Sequence, residues 1–280
     1  LPSIVSQRSR PLVRIAYLVL VVAALAALLN TLALDPYAQE IQNRLIPPGG
    51  RGHEGRLYAL GSDALGRDVL ARLLFGARVS LLVATVSVTG AGIVGFAVGL
   101  ISGFVGGRTD RILMRLVDLQ LSFPFLILAI GALAAVGPSI GVVIGLFIIA
   151  RWPAYARIGR GAALEVKERE FVLAARAVGA RDLRILLRHV APTCVGPVMV
   201  LASFEVATVI IYEATLGFLG VGVPPPIPTW GNMLAAGRAY LRTAWWLAIL
   251  PGAAISTCAL AANLLGDSLR DYLDPKLRRR

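Results

Sequence analysis

Residues 15–34 run without a single charged side chain, and this restricts what the chain can fold into. At 1.5 Å per residue, about 20 helical residues cover the roughly 30 Å hydrocarbon core of a bilayer. Inside that core every backbone N–H and C=O must be satisfied by the chain itself, so a lone apolar run crosses as a helix. The apolar core of a signal peptide is only about 7 to 15 residues long, so this longer run is expected to remain as a first span. Comparable stretches place further spans at about 79–105, 116–136, 139–156, 195–216 and 244–265. The fourth ends at Arg151, Trp152 and Pro153; Trp favours the interface and a long Arg can snorkel to it. The expected fold class is therefore an all-α integral membrane protein with six transmembrane helices, in keeping with a composition that is 57% hydrophobic.

The net charge of +12 would suggest a nucleic-acid partner in a soluble protein. Its location excludes that class. Arg8, Arg10 and Arg14 precede the first span; Arg108, Arg111 and Arg115 fall between the second and third. Further basic residues lie between Arg151 and Arg188, and Arg270, Lys276, Arg278, Arg279 and Arg280 close the chain. The loop at 35–75 instead balances its arginines with Asp35, Glu40, Glu54, Asp63 and Asp68. Such asymmetry is the positive-inside pattern. It puts both termini on the cytoplasmic side of a multi-pass protein in the cytoplasmic (inner) membrane, surrounded by lipid.

The connections differ in character. Residues 35–75 form a long loop with an amphipathic end, "DALGRDVLARLLFGARVS". Gly137-Pro138 makes a tight turn, and 215–243 includes the stiff run "VPPPIPTWG". Gly95, Gly99, Gly103 and Gly107 recur every fourth residue, so they are expected to form one helical stripe against which another helix packs closely.

Tests for an enzyme fail. Gly137-Pro138-Ser139-Ile140-Gly141 has G-x-S-x-G spacing, but a nucleophile elbow requires a strand, a turn and a helix with His and Asp partners. Here the match sits in a turn between spans. His53 and His189 are isolated, and Cys194 and Cys258 have no metal-binding spacing. Neither Lys167, which follows Val166, nor Lys276, which follows Pro275, lies in a Walker A loop. No catalytic, metal or cofactor site is expected, and any ATP must be used by another chain.

The segment 157–192 carries most information. A helix is expected over 160–178, ended by Gly179 in the left-handed conformation. A second short helix is expected over 182–188, with Pro192 in the first turn of the next span. Ala174 and Ala175 leave room for a partner to approach the backbone, while nearby arginines offer charge. The order Leu173-Ala174-Ala175, three residues, Gly179 and His189-Val190-Ala191-Pro192 resembles the EAA loop of ATP-binding-cassette (ABC) importer permeases. Leu173 stands where that family has glutamate. "LGRDVLARLLFGARVSLLVA", "RLVDLQLSFPFLILAI" and "EATLGFLGVGVPPPIPTWGNML" are similar to the C-type permease subunit of dipeptide, oligopeptide and nickel importers.

That resemblance implies a type I importer permease fold with a cytoplasmic coupling helix. Residues 1–76 would hold the tail, first helix and extracytoplasmic loop, residues 77–274 a five-helix permease core, and residues 275–280 a basic cytoplasmic tail. Its partners would be a homologous permease subunit, giving a heterodimer, two cytoplasmic ATPase domains that use ATP and Mg, and an extracytoplasmic binding protein. Phe171, Leu173, Ala174, Ala175, Gly179 and Pro192 would couple to the ATPase. Glu205, Glu213 and Phe218 would line or gate the translocation pathway, since an ionisable group within a span faces the bundle interior or a watery cavity; the alternative for the two glutamates is a hydrogen bond or ion pair that holds helices of the subunits together. Asp118 matches the family's R-x-x-D and is expected to be structural.

Overall fold

A computed structural model describes residues 35–273; the spans' first member at 15–34 and the tail at 275–280 lie outside the described residues. Asp68 starts the first long helix. Its carboxylate accepts from the backbone N–H groups of Leu70 at 2.8 Å and Ala71 at 3.2 Å, which satisfies donors that a helix start leaves open. Helix α1 then runs Val69–Val105. It begins about ten residues before the expected span, because the amphipathic segment holds no residue that stops a helix.

Gly106 (φ +71°) and Gly107 (φ +60°) turn the chain into α2, Gly107–Leu121. Helix α3 follows at Phe125–Val136. The expected continuous span over 116–136 is thus broken at 122–124, where α2 and α3 bend by 81°. Pro124 has no N–H to donate back into a helix, and Ser122 N–H ends α2 by bonding to Asp118 O and Leu119 O. Gly137 (φ +90°) closes the turn to α4, Ile140–Val166. Ser139, the serine of the G-x-S-x-G match, accepts from Val142 N–H at 3.2 Å and caps this helix.

Beyond α4 come α5, Glu170–Ala177, and α6, Asp182–Ile185. A π turn at Leu186–Val190 carries α6 into α7, Ala191–Phe218. Helix α8 is Trp230–Gly237 and α9 is Trp246–Leu273. Among the described residues, four helical stretches are long and apolar enough to cross a membrane, or five if the bent pair α2–α3 counts as one. The loop at 35–68 adds a two-residue antiparallel ribbon, β1 (Gly50–Arg51) with β2 (Leu57–Tyr58). Beneath it Glu40 accepts from Tyr58 Oη at 2.9 Å and Asn43 Nδ2 at 2.5 Å. Those donors hold the Glu40 carboxyl below the usual carboxylate range, while burial pushes the Tyr58 phenol up.

The chain packs as two units. In the first, which includes the described residues 35–85, Ile130–Ile144 and Val206–Leu265, the loop before α9 folds back on its neighbours. Trp230 Nε1 donates to Leu73 O at 3.0 Å and Trp246 Nε1 to Ser62 O at 3.2 Å. Gly231 lies directly on the Ala214 backbone.

The second unit, Val86–Ala129, Gly145–Glu205 and the described residues 266–273, is built on the glycine stripe. A Cβ on Gly95 would meet Trp152 O and lie 2.6 Å from Tyr155 Cβ. On Gly99 it would strike Ala156 O and Arg160 N; on Gly103 it would lie 2.6 Å from Arg160 O. The partners advance with the glycines, so α1 and α4 run parallel at backbone contact. Gly107 is not part of this seam: no atom lies within 4 Å of its Cβ position, and it serves the turn into α2.

Replacing Gly99 by leucine is expected to cost about 1–3 kcal/mol or more through overpacking, read as a lower thermal midpoint in detergent. Gly145→Ala, where nothing lies within 4 Å, should leave the midpoint unchanged or raise it, since alanine favours a helix by roughly 1 kcal/mol. Equal effects at the two positions would refute the glycine seam.

Candidate functional site

The segment between α4 and α7 is bent so that several apolar residues face one cluster. A continuous helix over 160–178 would set Val166 and Val172 about 120° apart. Instead α4 stops at Val166, Arg169 takes an extended conformation (φ −73°, ψ 146°), and α5 starts afresh at Glu170. Both valines are thereby buried in one core with Leu100, Phe104, Ala163, Ile185, Val190 and Cys194. The expected single helix is therefore two. Gly179 has φ +82°, as its cap role requires. Around it Val178 N bonds to Ala174 O at 3.2 Å, Gly179 N to Arg176 O at 2.9 Å and Ala180 N to Ala175 O at 3.1 Å.

Pro192 is the second residue of α7 and so lies in its first turn, as expected. The π bond from Ala191 N to Leu186 O joins that turn to α6, so one helical path runs from Asp182 to Phe218. The last turns of the expected short helix over 182–188 are thus part of the α7 path.

These bends leave α5 with two faces. Val172 is fully buried, and Ala175 packs partly against the cluster. Phe171 and Leu173 are exposed at 42% and 49%, and Val178 at 85%. Ala174, Ala177, Gly179 and Pro192 are exposed as well. Arg176 is occupied inside the unit: its guanidinium lies 5.4 Å from the centre of the Phe104 ring and 3.5 Å from Asp182. Glu170 at the start of α5 and Arg176 at its end match the helix dipole. The outward patch is thus mainly apolar. Sequence reasoning missed Val178, whose place just before the turning Gly179 was its only signal.

The remaining predicted residues lie on α7 and just beyond. Glu205 receives Arg151 Nε at 2.5 Å and Nη2 at 2.5 Å, a bidentate pair in which the Glu205 side chain is 6% exposed. Arg151 therefore does not reach for the surface as expected, because an acid on another helix meets it. One isolated cation and one isolated anion in different spans were the legible signal. Glu213 is fully buried and its Oε2 accepts from Ser80 Oγ at 2.9 Å, while its Oε1 has no hydrogen-bond partner among the described residues. Phe218 lies under the Arg238 guanidinium, 5.5 Å from the ring centre. The two glutamates thus serve different partners from one helix.

A second set of charges lies where α2 meets α4. Arg160 grips Asp110 with Nε at 2.6 Å and Nη2 at 2.7 Å, and Ser102 Oγ donates to the same carboxylate at 2.5 Å. Asp118 pairs with Arg157 at 2.7 Å on the surface, consistent with a structural role. Among the described residues no group of three His, Cys, Asp or Glu could hold a metal ion.

Residues 95–279 match the family described as binding-protein-dependent transport system inner membrane component. A putative peptide transport system permease protein of Brucella suis is 43% identical over 95% of this chain and 88% of its own length. The di/tripeptide transport system permease protein DppC of Pseudomonas aeruginosa is 44% identical, covering 87% of this chain and 80% of its own. The probable D,D-dipeptide transport system permease protein DdpC of Escherichia coli is 40% identical over 86% and 79%. Among solved structures, the MetNI methionine ABC transporter in inward-facing conformations matches with a TM-score of 0.59 at 20% identity, covering 72% of this chain and 96% of that one; this is a likeness of fold. With the family matched over most of the chain and relatives above 40% identity, the chain belongs to the binding-protein-dependent transport system inner membrane components.

Proposed function

We propose that this chain is one membrane-spanning subunit of an ATP-driven importer of short peptides. Its five-helix core at 77–274 works with a homologous permease subunit in a heterodimer, two cytoplasmic ATPase domains and an extracytoplasmic binding protein. The chain binds no cofactor; ATP and Mg are used by the ATPases. Both termini lie in the cytoplasm. Relatives named as peptide permeases, at 40–44% identity over most of the chain, support the substrate class.

The observation that carries the mechanism is the outward apolar patch of α5. Phe171, Leu173, Ala174 and Gly179, with Val178 beside them, form the surface that docks on an ATPase. Ala175 and Pro192 act from behind it, Ala175 against the core cluster and Pro192 on the path into α7. Closure of the ATPase pair upon ATP binding moves α5, and the rigid cluster passes that motion to α4 and α7. Two states of the whole subunit, selected by nucleotide, give alternating access. Glu205, Glu213 and Phe218 line or gate the pathway.

Val178→Asp tests the docking surface. Val178 is 85% exposed, so the stability of the isolated chain, followed by thermal unfolding, should stay within about 0.5 kcal/mol of wild type. ATPase co-purification and ATP-driven peptide uptake should both fall at least about tenfold, as expected when a charge is buried unpaired in an apolar interface. Unchanged uptake with Val178→Asp would exclude this surface.

The Arg151–Glu205 pair gives a second test. Glu205→Ala takes the bidentate carboxylate away from a largely buried guanidinium and should cost roughly 3 kcal/mol. The double change Arg151→Met, Glu205→Met removes both charges and should cost clearly less. A double variant as unstable as Glu205→Ala would contradict a pair that is held mainly by mutual compensation.

A further inference from the structure

Helix α2 turns two kinds of side chain outward. Arg108, Arg111 and Arg115 fall within about 60° of one another around the helix and are all exposed. None of the three makes an ion pair among the described residues, because Asp110 and Asp118 are held by Arg160 and Arg157. Directly beside the arginine stripe lie Ile112, Leu116 and Leu119, 63%, 51% and 60% exposed. Val117 on the opposite side is fully buried and anchors the helix to its unit.

The 81° bend supplies the orientation. Membrane helices tilt on average about 20° from the bilayer normal. If α3 crosses within that range, α2 lies near the plane of the membrane. A helix in that plane, with an apolar strip beside an arginine strip, sits at the boundary between acyl chains and headgroups. Its arginines open on a cavity of about 1000 Å³, with Arg157 and Arg160 on the α4 wall. Guanidinium groups bind phosphate oxygens bidentately, which suits them to a phosphodiester.

We propose that α2 is an interfacial helix that binds anionic phospholipid, its phosphate seated among Arg108, Arg111 and Arg115 and its acyl chains against Ile112, Leu116 and Leu119. A protein partner would need an acidic strip and an apolar strip in matching register. An anionic lipid supplies both at the right depth by construction. The binding requires only that the chain spans a membrane, so it can fail without affecting the peptide and ATPase reading, and the reverse.

The test is native mass spectrometry of the purified full-length chain with dioleoyl phosphatidylglycerol, dioleoyl phosphatidylcholine and inorganic phosphate. Wild type should retain phosphatidylglycerol in preference to phosphatidylcholine. Arg111→Gln should weaken phosphatidylglycerol by about fivefold, and the triple change at Arg108, Arg111 and Arg115 by on the order of 100-fold. Phosphatidylcholine binding should hardly change. The three arginines are exposed, so the substitutions should leave the fold intact; if the triple variant does not fold, the single variants Arg111→Gln and Arg115→Gln decide. Undiminished phosphatidylglycerol binding by those variants overturns the proposal. So does equal retention of phosphatidylcholine, displacement of the lipid by millimolar inorganic phosphate, or cross-linking of α2 to another protein subunit in the assembled transporter.

Discussion

Gly95, Gly99 and Gly103 bring the backbone of α1 onto that of α4, and much of the second unit follows from this contact. In lipid, apolar side chains gain little by leaving one hydrocarbon environment for another, so association relies on close packing and on hydrogen bonds. A parallel seam at backbone distance sets the height of Arg160 and Ala163 relative to α1. Arg160 can then reach Asp110, which Ser102 of α1 also holds, and α2 is fixed at a steep angle. Ala163 and Val166 meet Leu100 and Phe104 to form the cluster under α5. The same seam thus positions both the α5 patch and the arginine face of α2.

The buried charges follow a common rule. A charge without water must find a partner or lose its charge. Arg151 and Glu205 pair bidentately, whereas Glu213 accepts from Ser80 Oγ at one carboxylate oxygen and its other oxygen has no hydrogen-bond partner among the described residues. This difference separates the two glutamates that the sequence places on one stripe.

Much of this was legible from residue order. Long uncharged runs located four helices long and apolar enough to cross a membrane among the described residues, and Gly179 announced a left-handed turn. The failures have two physical causes: local backbone effects at Pro124 and Gly107, and tertiary contacts between segments distant in sequence at the other positions. Pro124 breaks a run whose hydropathy is continuous, because a missing N–H outweighs apolar composition. Residues 167–169 break a helix whose local propensity is good, because Val166 and Val172 gain more from sharing one core. Gly107 has the right spacing for the seam, yet the chain has already turned there. Arg151 looked like a residue reaching for water until the acid on α7 was placed beside it.

In the proposed function, ATPase motion enters the membrane subunit at α5, and peptide is the cargo. The most direct test is uptake of a labelled dipeptide into proteoliposomes containing this chain, its homologous permease subunit and the ATPases, with the binding protein on one side. Uptake should require ATP, the binding protein and this chain together, and should stop when any one is omitted. Dipeptide accumulation that proceeds equally without ATP, or a full assembly that hydrolyses ATP but never moves dipeptide, would contradict it.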